Sequence, residues 1–144
     1  MLYIVATPIG NLEDITLRAL RILKEADVIA AEDMRRTIKL LNHYDIKTKL
    51  ISFHEHSDKQ KREQIIELLQ QGKDVALVSD AGTPLISDPG AVLVTEAADA
   101  GIEITSVPGP CAAITALTLS GHGGSFCFEG FLPKKAGERT KQIE

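Results

Sequence analysis

The stretch Val75–Gly90, VALVSDAGTPLISDPG, decides how this chain folds. Val75–Val78 is a short, unbroken apolar run, the pattern of a strand buried on both faces. The loop Ser79–Gly90 follows, rich in glycine, proline and serine. Asp88-Pro89 then opens a helix with a capping carboxylate and a proline at its first position. That helix is expected through Ala91–Ala100, with a stop at Gly101. Strand, loop and helix in this order form one unit of a parallel α/β sheet.

The same unit recurs on either side. Leu2–Ala6 reads as a buried strand, followed by Ile15, Ala19, Ile22, Leu23 and Ala26 at helical spacing. Val28–Ala31 is a second strand, leading to a polar helix around residues 34–43. Leu50–Phe53 is a third strand. Residues 58–70 read as a helix with Ile65, Ile66 and Leu69 inward and Gly72 in the C′ position. Ile102–Val107 is a further strand, and residues 111–120 a helix of small residues. The fold class is α/β: a mainly parallel sheet of about five strands with helices on both faces. Ser125–Phe131 reads as one more strand, ended by Pro133, and GERTKQIE as a helix just beginning. Residues 1–132 are therefore expected to form one α/β domain. Residues 133–144 are expected to form an interdomain linker and the start of a C-terminal domain that the chain lacks.

Composition sets bounds on function. With 144 residues, 44% hydrophobic and 25% charged, the chain can build one ordinary globular core. No apolar run approaches the ~20 residues of a membrane helix. The opening MLYIVATPIGN lacks the basic segment and apolar stretch of a signal peptide. Cys111 and Cys127 are far apart and form no C-x-x-C pair, so neither a metal site nor a redox motif is indicated. A reducing cytoplasm is the expected compartment. The net charge of −4 argues against a generic nucleic-acid binder, but its distribution is uneven. Arg35, Arg36, Lys39, Lys47 and Lys49 face Asp45 alone within residues 34–49. The tail carries Lys134, Lys135, Arg139 and Lys141. Residues 74–133 hold no Lys or Arg. Two basic edges beside a neutral-to-acidic centre suit a polyanion's backbone, and equally two solvated helix faces.

Three expected strands end in unusual loops: ATPIGN at 6–11, SDAGTPLISDPG at 79–90 and VPGPCAA at 107–113. All three precede helices, so all should lie along the carboxyl edge of the sheet, where open α/β folds bind ligands. Glycine lets backbone approach a ligand, and proline stiffens the loop. None is G-x-G-x-x-G or G-x-x-x-x-G-K-[ST], and no lysine is at hand for a phosphate. A neutral or cationic ligand suits these loops better than a polyphosphate.

TPIGNLEDIT, AEDMRRT, SDAGTPLISDPG, VPGPCAAITAL and FEGFLP together resemble the ribosomal RNA small-subunit methyltransferase I family. That family is the branch of the tetrapyrrole methylases acting on 16S rRNA, and the resemblance runs from residue 3 to about residue 140. It implies a tetrapyrrole-methylase N-terminal domain and S-adenosylmethionine-dependent 2′-O-methylation of a cytidine in 16S rRNA. It also implies a homodimer that works on the small ribosomal subunit, with the methyl donor held between two domains and no metal. Only the first domain is matched here. By motif, the resemblance assigns donor contacts to Pro8, Ala81, Gly82, Thr83, Ile86, Cys111 and Ala112. Thr83 stands where many tetrapyrrole-modifying relatives have Asp. A non-catalytic RNA-binding or dimerisation module and a methylase of a small tetrapyrrole are the rival readings.

Methyl transfer to a hydroxyl needs an in-line approach and a base for the proton. Glu13, Glu32, Asp33, His54 and Asp88 are the candidates, none preferred. Asp33 and Asp88 also suit helix caps, and Glu13 the opening of the first helix. His54 and His56 around Glu55 lack a third metal ligand. Arg35 and Arg36 are the better candidates for RNA contact, with Lys134 and Lys135 behind them.

Overall fold

The computed structural model describes residues 1–54, 59–86 and 90–143. Five strands, β1 (Leu2–Val5), β2 (Val28–Ala31), β3 (Lys49–Ser52), β4 (Val75–Val78) and β5 (Ile104–Val107), form one sheet in the order β3-β2-β4-β1-β5. Every pairing is parallel. The helices are α1 (Leu17–Glu25), α2 (Met34–His43), α3 (Lys59–Gln70), α4 (Ala91–Asp99), α5 (Ala112–Leu119) and α6 (Ala136–Ile143). The chain divides into two compact units, Met1–Ala112 and Ala113–Glu144.

The first unit carries the sheet. Alternate side chains of the central strands go to opposite faces, and both faces are apolar. Val5, Ile29, Ala76 and Val78 pack with Ala19, Ile22 and Leu23 of α1 and with Leu40 and Leu41 of α2. Leu2, Ile4, Ala30, Val75 and Leu77 pack with Ile65 and Leu69 of α3 and with Leu93 and Ala97 of α4. β2 and β4 are buried throughout, as their unbroken apolar runs require. The edge strands β3 and β5 are more open, and they carry the polar residues Lys49, Ser52, Thr105 and Ser106.

Helix ends follow the sequence closely. Gly72 takes φ +80 after α3, with its N–H on the Leu69 carbonyl and the Lys73 N–H on that of Leu68. This is a Schellman closure, as the C′ glycine predicts. α2 closes the same way around Asp45, although that residue has a side chain at φ +51.

Three expectations are corrected. Residues 125–131 form no strand, because an alternating apolar pattern becomes a strand only when a partner supplies the ladder, and none pairs with it among the described residues. Glu13 does not open α1: it lies in a short 3-10 turn, Leu12–Asp14, and Thr16 caps α1 by accepting the Ala19 N–H at 3.0 Å. α4 begins later than read, with Gly90 as its N-cap and no side-chain cap; Asp88 and Pro89 lie outside the described residues.

Candidate functional site

Strand register builds the site. Leu2 sits level with Val75 and Ile104, and Val28 with Val75 and Lys49, so all five strands run the same way from one level. The loops after β1, β2, β4 and β5 therefore share the carboxyl edge. After β1 and β2 the chain turns to the face covered by α1 and α2, and around β4 it uses the face of α3 and α4. β4 lies between β2 and β1, so neighbouring loops part in opposite directions at its end. This is the crevice in which open α/β sheets hold ligands.

One side of the crevice is neutral and closed by backbone. Thr7 and Gly82 exchange both hydrogen bonds, 2.9 Å from the Thr7 N–H and 3.0 Å from the Gly82 N–H. Thr83 Oγ1 donates to the Pro110 carbonyl at 3.3 Å, tying the third loop to the second. The three predicted loops are thus brought together. Gly82 has φ +80, and a Cβ there would lie 3.2 Å from Ile9 Cγ2 and 3.4 Å from the Pro110 oxygen. The positive φ favours glycine, and a Cβ would in addition crowd Ile9. Pro8, Thr83 and Cys111 are half-buried; Ala81, Ile86 and Ala112 are exposed.

The other side is charged. Asp33 caps α2, its Oδ1 accepting the Arg35 N–H at 2.9 Å, so the cap reading of Asp33 holds. Arg35 turns back onto the same carboxylate through Nε at 3.1 Å and Nη2 at 2.9 Å. These bonds hold the Asp33 carboxyl below its usual range and push Arg35 further up. Asp33 therefore stays ionised and is a poor proton acceptor. Asp80, at the end of β4, accepts the Asp33 N–H at 2.9 Å, while its own N–H reaches Glu32 Oε2 at 3.4 Å. The ends of β2 and β4 clasp each other reciprocally. Arg36 Nε stands 3.6 Å from Asp80 Oδ2.

Between the two sides is a small open cavity of about 80 Å³, bordered by Thr7, Pro8, Arg36, Thr37, Ser79 and Asp80. Of these, only Pro8 and Arg36 were singled out from sequence. Asp80 was missed because it acts across β2 and β4, strands adjacent in space but not in chain order. The one signal available was an acid two residues past a buried strand. His54 lies exposed beyond the edge strand β3, while Glu55 and His56 fall outside the described residues. Among the described residues no three His, Cys, Asp or Glu side chains converge as a metal site would need. Lys134 and Lys135 are exposed in the second unit, Lys135 pairing with Glu138 at 3.3 Å. No helix among the described residues is long and apolar enough to cross a membrane.

A parallel sheet with glycine-rich loops along its carboxyl edge is the architecture of the α/β folds that hold ligands at that edge. Residues 1–126 match the family model of the Tetrapyrrole (Corrin/Porphyrin) Methylases, and the chain belongs to that family of methyltransferases. It is 54% identical over 145 residues to the ribosomal RNA small subunit methyltransferase I of Pasteurella multocida, covering 100% of this chain and 52% of that protein. The Thermotoga maritima protein of the same name is 57% identical over 139 residues, covering 96% of this chain and 63% of the relative. The chain spans about half the length of most curated relatives it matches. The crystal structure of uroporphyrin-III-C-methyltransferase from Thermus thermophilus superposes with a TM-score of 0.63 at 26% identity, over 87% of this chain and 53% of that one. Diphthine synthase shares the fold alone, with a TM-score of 0.66 at 16% identity over 83% of this chain and 48% of that one. The resemblance read from the motifs is borne out.

Proposed function

We propose that this chain is the N-terminal half of an S-adenosylmethionine-dependent methyltransferase that modifies the 2′-hydroxyl of a cytidine in 16S rRNA. The observation that carries the reading is the pairing of two unlike surfaces on one strand edge. The neutral one presents backbone and small side chains, and the charged one presents arginines. Support for rRNA comes from the names of relatives more than 50% identical across the whole chain.

The neutral side fits part of the methyl donor. Its loops carry no Lys or Arg, Gly82 leaves backbone bare where a Cβ would crowd Ile9, and the Thr83 hydroxyl is spent within the loops. Such a surface suits an adenosine and a zwitterion read by backbone groups rather than a polyphosphate. We assign donor contacts to Pro8, Ala81, Gly82, Thr83, Ile86, Cys111 and Ala112. Of these only Pro8 borders the cavity of about 80 Å³, which is far below the ~300–1,000 Å³ of sites that enclose a whole ligand, so a second domain would complete the donor site. Bound there, S-adenosylmethionine supplies an electrophilic methyl carbon on a sulfonium sulfur. Transfer of that methyl to the ribose oxygen would leave the carbon–sulfur electron pair on the departing thioether and would pass the 2′-hydroxyl proton to a base. This chain contributes by orienting donor and ribose in line, through loops that hydrogen bonds hold rigid. Arg35, Arg36, Lys134 and Lys135 are assigned to the RNA. The enzyme is read as a homodimer acting on the small subunit in the cytoplasm.

The test uses labelled donor and undermethylated small ribosomal subunits. This chain is assayed alone and joined to the second half of the Pasteurella multocida relative. Label on a ribose with the joined protein only is the expected result. Absence of label on RNA from the joined protein sinks the reading.

A further inference from the structure

Methyl transfer to a ribose hydroxyl releases a proton, and the crevice holds one carboxylate placed to take it. We propose that Asp80 is the base, accepting the 2′-hydroxyl proton on Oδ2; this rests on the methyl-transfer reading above.

The acids and the histidine read from sequence have other places. Asp33 has both oxygens on the Arg35 guanidinium. Glu13 is exposed in the turn before α1 and does not border the cavity. His54 lies past β3, with β2 between it and the end of β4. Glu32 holds the Asp80 N–H and is absent from the cavity wall. Asp88 lies outside the described residues. Among the described residues, Asp80 is the one carboxylate on that wall.

Its placement fits the task. The accepting oxygen has to stand between donor and RNA, where the neutral and charged sides of the crevice meet. Asp80 is at that join: it directly precedes Ala81 and Gly82 of the neutral loop and shares the cavity wall with Pro8 and Arg36. Thr7 pins the chain on both sides of it. The Thr7 Oγ1 donates to the Ser79 carbonyl at 3.4 Å, and the Thr7 main chain pairs with Gly82. The carboxylate is oriented as well, because the Asp33 N–H occupies Oδ1 at 2.9 Å. Oδ2 accepts no hydrogen bond among the described residues. It has Arg36 Nε beside it at 3.6 Å, longer than a hydrogen bond. The side chain is 30% exposed, so Oδ2 is held and still reachable.

The two side chains divide the work. An RNA phosphate drawn to Arg36 brings the ribose it esterifies toward the neighbouring carboxylate. A hydroxyl oxygen that has begun to bond to a methyl carbon is far more acidic than a free one, so a carboxylate is a sufficient acceptor. The O–H bond breaks toward Oδ2 as the carbon–oxygen bond forms, and the carbon–sulfur pair leaves with the thioether. The protonated Asp80 then returns its proton to solvent through the open side of the cavity.

The test uses the joined protein, with substitutions in this half. Asp80→Asn keeps an oxygen for the Asp33 N–H and removes the base. Its kcat for label transfer is expected to fall about 10²–10⁴-fold, with KM for donor and for small subunits within about twofold of the parent. Donor affinity by calorimetry should not change. Arg36→Ala should show the opposite split, a raised KM for subunits with kcat less affected. Asp80→Ala opens room beside the ribose, and formate is expected to raise its turnover about tenfold over chloride at equal ionic strength. An Asp80→Asn protein, folded by circular dichroism, that fails through KM alone or keeps kcat within about threefold overturns the proposal. So does an Asp80→Ala protein that formate raises no more than chloride does. Absence of label on ribose from the unaltered joined protein overturns the methyl-transfer reading and this one together; equal label from it and from Asp80→Asn breaks only this one.

Discussion

The two sides of the crevice lie on one sheet edge and are built by opposite means. The side formed by the ends of β1, β4 and β5 is held mainly through backbone: Thr7 and Gly82 exchange both hydrogen bonds, and the Pro110 carbonyl accepts from the Thr83 hydroxyl. The side formed by β2 and α2 is held by side chains: Asp33, Asp80 and Glu32 knit two strand ends, and each arginine has a carboxylate. A backbone lattice offers a fixed, uncharged surface at little electrostatic cost. A carboxylate–arginine lattice offers charge that can be redirected when a ligand parts a pair. The first is suited to a constant small molecule, the second to a polymer that arrives and leaves. The difference also sets how each side should fail.

The backbone-held side should fail abruptly. At Gly82→Val, a branched side chain must adopt φ +80 with its Cβ 3.2 Å from Ile9 Cγ2. Left-handed backbone and overpacking together should cost about 2–3 kcal/mol. The expected result is a lower urea midpoint with an unchanged m-value, together with lost donor contact in the joined protein. A variant as stable as the parent would mean that the Thr7–Gly82 bridge does not hold the loops together.

What could be read in advance divides along the same line. Apolar runs announced the central strands because burial on both faces leaves no other pattern, and Gly72 announced the end of α3 because the left-handed turn there suits glycine. The neutral loops were legible since Gly, Pro and small residues state a backbone requirement locally. Asp80 and Thr7 were not, because their roles depend on which strands are neighbours, and the order β3-β2-β4-β1-β5 is set by packing, not by chain order. Ser125–Phe131 misled for the related reason that a strand pattern carries no information about its partner.

The charged side should fail gradually and with pH. Arg35 lowers the Asp33 carboxyl in the folded chain. A lowered carboxylate contributes stability that is complete above its unfolded value of about 3.9 and is lost as pH falls through the lower folded value. Asp33→Ala should therefore lower the urea midpoint most at neutral pH, with the gap to the parent closing below about pH 4. The reciprocal Asp33 N–H to Asp80 bond uses backbone and survives the change, so the strand ends should stay clasped. A gap independent of pH would mean that the cap contributes through shape and not charge.

The smallest effect is expected at the far end of α2, away from both sides. Asp45 closes that helix at φ +51, where a side chain is strained and glycine is not. Its ion pair with Lys47, at 2.6 Å, joins two groups more than 80% exposed, and such pairs contribute little. Asp45→Gly relieves the strain but gives the unfolded chain more freedom, so the two effects largely offset. A rise in Tm of a few degrees at most is expected by calorimetry. A clear fall in Tm would mean that the Asp45 side chain contributes more to closing α2 than its exposed pair with Lys47 accounts for.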